Sequence, residues 1–203
     1  MVWVAFDRAA RSRSFGPEGR AIWRRLADRV HRDICRHALD PAGGHFVQAY
    51  GSRRLDASLL LLAIVGFLPP DDPRLQRTVA AIEARLMCEG FVMRYETGRR
   101  LDGLPKGEGA FLACSFWLVD NYALMGRHED ARRLFQRLVA IANDVGLLSE
   151  EYDPRTRRFL GNFPQAFSHV ALVNTAFGLT RGKKTRGRRA DGRGKQRTVA
   201  RHE

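Results

Sequence analysis

The chain is short of several things that whole classes of protein depend on. Its 203 residues hold three cysteines, Cys35, Cys88 and Cys114, an odd number spread through apolar helical patterns. That usage excludes a disulfide framework and suits reduced, buried thiols in the cytoplasm. No Cys or His pair has zinc-ligand spacing, and the six histidines form no HExxH motif, so no metal is expected. The longest apolar run, Ala57 to Leu68, falls short of the roughly 20 residues a membrane span needs. No basic stretch followed by an apolar segment opens the chain, so no leader peptide and no membrane partner are expected. Nucleotide-cofactor signatures are missing too. The glycines of DGLPKGEGAF (Gly103, Gly107, Gly109) follow no strand and match neither a Walker loop nor GxGxxG, and no cofactor is predicted.

Negative charge is also scarce, with 22 Asp and Glu against 35 Lys and Arg. The excess is local. Residues 181–203 carry ten Lys/Arg and two Asp/Glu, which accounts for +8 of the formal +13. With almost no apolar side chains to offset the entropy of ordering, this segment is predicted to be a disordered tail. Such a run could hold RNA or DNA only weakly, through phosphates, since it has no interleaved aromatics for base stacking.

What is present is helical periodicity. Apolar residues recur as Ile22, Leu26, Val30 and Ile34, and again as Leu75, Val79, Ile82 and Leu86, while strand-like alternation is rare. The fold class is therefore all-α. Gly, Pro and Asp clusters place helices near 2–11, 18–38, 55–67, 72–88, 109–125, 128–143 and 164–178. The first begins without a Ser, Thr or Asp cap, and with Trp3 and Phe6 already needing a surface to pack on. Two connections are long, 89–108 and 144–163, and long loops on a helical scaffold are where binding and catalytic groups are usually mounted.

The second long connection contains GLLSEEYDP, with Glu150 and Glu151 adjacent. Pattern alone reads this pair as a solvated acidic turn, because neighbouring residues rarely share one site. In FVMRYETG, Arg94 and Tyr95 have the chemistry to clamp ligand oxygens and to stack, although a surface arginine beside a half-buried tyrosine is the simpler reading. Phe116, Trp117 and Tyr122 read as core, and Phe111, at the loop edge, as the aromatic most open to a ligand. His169 reads as a satisfied helix-packing histidine. Paired helices such as RHEDARRLFQRLVAIAND leave open a helical-repeat interaction scaffold, although no fixed period is apparent.

Taken in order, the segments WVAFDRAA, FVQAYGSRRLDASLLLLAIVGFLPPDDPR, FVMRY, DGLPKGEGAFLACSFWLVDNYALMGR and NDVGLLSEEYDPRTRRFLGNFPQAFSHVALVNTAF resemble the C-terminal part of the catalytic domain of glycoside hydrolase family 15. That family includes glucoamylases, glucodextranases and bacterial trehalases. The resemblance implies about half of an (α/α)6 toroid over residues 1–180, and inverting hydrolysis of an α-linked glucoside. It puts the general base on Glu150, and assigns sugar contacts to Arg94, Tyr95, Phe111 and the neighbouring Glu151. An inverting site sets its two carboxyl groups ~6.5–9.5 Å apart so that a water fits.

In the family the general acid, and an Arg-Asp pair that grips the terminal glucose, precede the segment corresponding to WVAFDRAA. The resemblance therefore implies a truncated chain with little or no activity alone. It also implies helix faces left open to self-association or to a missing-half partner.

Overall fold

A computed structural model describes residues 1–96 and 109–194, with side chains described as far as Thr180. Gly103 and Gly107 therefore lie outside the described residues. The helices are α1 (Val2–Arg11), α2 (Pro17–His37), α3 (Leu61–Ile64), α4 (Pro73–Leu86), α5 (Leu112–Leu124), α6 (His128–Val139) and α7 (Ala166–Gly194). Five short strands accompany them: β1 (Met87–Cys88), β2 (Phe91–Val92), β3 (Ala110–Phe111), β4 (Glu151–Asp153) and β5 (Arg158–Leu160).

The helix expected over 55–67 is instead a 3-10 turn, Ala57–Leu60, running into the single turn of α3. Asp56 caps it by accepting from the Ser58 amide, and Gly66, at φ +75°, ends it before Pro69 and Pro70. The last helix also differs from expectation. It runs past 178, as helical backbone to Gly194. Extending an existing helix needs no new nucleus, and Arg and Lys are good helix formers.

An all-α chain was expected to have no sheet, yet two are present. β1 and β2 form a hairpin, and β3, β4 and β5 form an antiparallel sheet in that order. The pairing of Ala110 with Tyr152, and of Phe111 with Glu151, joins the start of α5 to the chain beyond α6.

The core has two parts. In the first, Trp3 of α1, Ala27 of α2, Phe46, Phe67 and Leu75 pack together, with the Trp3 and Phe67 rings edge-on at 5.1 Å. Above it, the buried Asp7 carboxylate pairs with Arg8, Arg11 and Arg24 at 2.7, 3.0 and 3.1 Å, tying α1 to α2.

The second and larger part surrounds α5. Leu112, Phe116, Leu118 and Val119 are each 0 % exposed and meet Val79, Ile82 and Leu86 of α4, Leu138 of α6 and Ala171 of α7. Polar contacts fix the orientation of α5. Asn121 Nδ2 donates to Leu60 O at 2.9 Å, and Tyr122 Oη donates to Glu83 at 2.7 Å. Glu83 in turn accepts from Arg127 at 2.8 Å. Among the described residues no helix is long and apolar enough to cross a membrane.

Near the C-terminal end of α5, a groove of about 800 Å³ is bounded by Ile64, Asp120, Leu124, Arg132, Phe135 and Leu179. Burial pushes Asp120 up to about 6 from 3.8, only partly offset by a hydrogen bond from Thr175.

Two stability predictions follow from this packing. Leu118→Ala should cost ~2–5 kcal/mol, read as a lower urea midpoint with little change in slope. For Asp120 the folded state binds the proton more tightly than the unfolded state. Its contribution is therefore complete below about pH 4 and is lost as pH rises through about 6. Asp120→Asn should accordingly stabilise the protein at pH 7–8, by on the order of 1–2 kcal/mol after allowance for partial solvent screening, and leave stability unchanged below pH 4. Urea denaturation across that range measures it.

Candidate functional site

Residues 92–96 of the first long connection and residues 147–163 of the second meet near the N-terminal ends of α5 and α7. On the first, Ser115 of α5 accepts from the Val92 amide at 2.9 Å and sets β2 against the helix. Two residues further on, Arg94 O accepts from the Ala57 amide at 2.8 Å, and Tyr95 bridges Asp56. The Arg94 guanidinium then lies between two rings, 5.7 Å from the centre of Tyr95 and 5.8 Å from that of Phe111. Phe111 continues the aromatic row to Phe167 at 5.9 Å, and Phe167 meets Trp117 edge-on at 5.8 Å. Trp117, expected in the core, is half-buried at this edge.

Beneath the row, burial raises the pKa of the Cys114 thiol; the Asp56 charge adds to that rise and Arg94 opposes it. The thiolate is the reactive form, so this cysteine is held inert.

On the second connection, Glu150 and Glu151 bond to different parts of the chain. Glu150 Oε2 accepts from the Asn162 amide at 3.1 Å and from Asn162 Nδ2 at 3.0 Å. Its main chain is held as well, with N donating to Asn162 O at 2.9 Å and O accepting from the Leu112 amide at 3.1 Å. Glu151 Oε2 accepts from the Gly109 amide at 3.0 Å, and the residue pairs with Phe111 across β3 and β4. Phe111 is thus the common neighbour of the two loops, with Arg94 over its ring and Glu151 opposite on the adjacent strand.

Two glycines permit these contacts. A Cβ on Gly109 would stand 2.7 Å from Tyr152 O. A Cβ on Gly161, at φ +70°, would stand 2.9 Å from Glu150 Oε2.

The start of α7 closes the back of the Glu150 loop. Ser168 Oγ donates to Ser149 O at 2.7 Å, the Gln165 amide donates to Leu148 O at 2.9 Å, and the Leu148 amide donates to His169 Nε2 at 3.2 Å. Asn162, Ser168, His169 and Phe167 escaped the residue-by-residue reading, in which His169 was a packing residue. The available signal was GNFPQAFSH, a cluster of polar residues at the start of an apolar helix. Among the described residues no group of His, Cys, Asp and Glu is arranged to hold a metal ion.

Residues 1–177 match the sequence profile of glycosyl hydrolases family 15. The chain belongs to that family. It is 44 % identical over 190 residues to a trehalase of Mycobacterium tuberculosis, a match covering 91 % of this chain and 27 % of the trehalase. A trehalase of Thermoplasma acidophilum is 41 % identical over 178 residues, covering 87 % of this family 15 chain and 30 % of the relative. The chain therefore spans less than a third of the length of these curated relatives.

Among solved structures, a wild-type glycosidase superposes with a TM-score of 0.68 at 25 % identity, over 79 % of this chain and 45 % of the other. A variant of a glycosidase in complex with glucose superposes with the same TM-score, 0.68, and also at 25 % identity.

Gly161→Ala should displace the Glu150 carboxylate and cost ~1–2 kcal/mol through its left-handed backbone. Urea denaturation reads the stability, and loss of the Asn162 side-chain amide shift in NMR spectra reads the displacement.

Proposed function

We propose that this family 15 chain carries the general-base side of an inverting α-glucosidase site, with trehalose as the first substrate to test and maltooligosaccharides as the second. The observation that carries the reading is the double hold of Asn162 on Glu150 Oε2, beside the Arg94–Phe111–Phe167 row. One carboxylate oxygen is fixed by two donors, so the other is left to face a water. Glu150 takes the proton of a water that attacks the anomeric carbon, while a carboxylic acid on the opposite side protonates the leaving oxygen. Arg94 presents a planar set of donors to sugar hydroxyls, and the Phe111 and Tyr95 rings offer apolar faces to a pyranose. Glu151, bonded to Gly109, holds the strand pair in register rather than acting on water.

The trehalase relatives support trehalose as substrate. The half-toroid reading is supported by the character of α5 and α7. α5 is mostly apolar and buries nine of its thirteen residues. α7 has no charged residue between Ala166 and Thr180 and yet exposes Phe167, Val170, Val173 and Phe177. A helix that is apolar all round belongs inside a larger packing. The general acid then comes from helices that cover α7, supplied by the remaining part of a family 15 domain.

Purified 1–203 should release little or no glucose from trehalose alone. Mixed with a polypeptide comprising the rest of a family 15 catalytic domain, it should regain hydrolysis, and Glu150→Gln should lower that rate at least ~10²-fold with little change in KM. Full activity of 1–203 by itself, or a reconstituted Glu150→Gln mixture as fast as the parent, would overturn the reading.

A further inference from the structure

We infer that His169, held with a hydrogen on Nδ1 and the lone pair on Nε2, is the positioning residue for Glu150; the inference rests on the reading of Glu150 as the base. His169 Nδ1 lies 2.7 Å from Gln165 O, and Nε2 lies 3.2 Å from the Leu148 amide nitrogen. A carbonyl oxygen only accepts, so Nδ1 carries the hydrogen. A backbone amide only donates, so Nε2 carries the lone pair. Two main-chain groups thus fix the tautomer, and the ring links the first turn of α7 to the strand-like run that leads into Glu150.

The identity of the side chain matters because of what Leu148 needs. Leu148 is 0 % exposed, and its amide would have no partner without an acceptor reaching out of α7. The carbonyls of the helix are directed along its own axis, so the acceptor must come from a side chain. Lysine or arginine at 169 would set donor against donor. Ser168, buried at 1 %, and the Gln165 amide hold the next two carbonyls, Ser149 O and Leu148 O. Together they make Leu148–Ser149 a rigid lead-in, so that the Glu150 side chain leaves the backbone in one direction, toward Asn162. Catalytic groups need placement to within ~0.5 Å, and a lead-in held at Leu148 N, Leu148 O and Ser149 O supplies it.

NMR on 15N-labelled 1–203 tests this directly. Long-range proton–nitrogen correlations at neutral pH should show His169 protonated at Nδ1 and bare at Nε2; an Nε2–H ring or a doubly protonated ring overturns the inference. His169→Ala should speed amide exchange at Leu148 and Glu150 by ~10-fold or more and move the Asn162 side-chain amide signals. His169→Gln, whose Oε1 reaches the place of Nε2, should bring both back to near the parent. Leu172→Ala, which loosens the same helix through its packing on the core, should lower the urea midpoint without moving the Asn162 signals. If Leu172→Ala moves them as far as His169→Ala does, or His169→Gln fails to restore them, His169 is only structural. A parallel glucose titration separates the two ideas: an intact latch with no shift of the Arg94, Phe111 or Glu150 signals counts against the carbohydrate site and leaves the positioning role standing.

Discussion

Everything about the candidate site depends on one short stretch of strand pairing, Ala110–Phe111 against Glu151–Tyr152. It is small, yet it bridges a long interval of chain and has the buried helix α5 directly behind it. Ordering so long a closure costs entropy that two residue pairs do not repay alone. The pairing persists because Ala110 and Tyr152 face the core around α5, so the hydrophobic burial of that helix and the register of the strands are one constraint. Once Ala110 faces inward, Phe111 must face the loops, and the strand opposite must present Glu151 to it.

The three surroundings of the Glu150 loop then have separate duties. β3 fixes its height, through Leu112 and Gly109. β5 and its following turn fix the carboxylate, through Asn162 and the space left by Gly161. α7 fixes the approach of the main chain from behind, through Gln165, Ser168 and His169. The acidic pair is thus divided in what it bonds: the Glu150 carboxylate accepts from Asn162, and the Glu151 carboxylate accepts from the Gly109 amide beside β3.

The helices were legible because a 3.6-residue period extends over many positions, as in Leu75, Val79, Ile82 and Leu86. The single turn of α3 was not, since ASLLLLAIVGFL is apolar enough to continue and only Gly66 and the prolines after it decide where it stops. The sheet escaped for a different reason. Strands of two or three residues are too short to show alternation, and their partners are set by tertiary contact. For the site, Arg94, Tyr95, Phe111, Glu150 and Glu151 entered through the resemblance, because an isolated Ser-Glu-Glu has no periodicity to read. Asn162 and His169 became visible only when distances were known, since their roles are to bond the backbone of residues remote in the chain.

The bond from the Leu112 amide to Glu150 O has one more consequence. Helix α5 has no side-chain cap, and its first amide is satisfied by the carbonyl of the residue read as the base. The helix start and the Glu150 main chain therefore share a mechanical fate: separating them strands the Leu112 donor on one side and the Glu150 carbonyl acceptor on the other. Any movement in this part of the molecule must therefore carry the start of α5 and the Glu150 loop together.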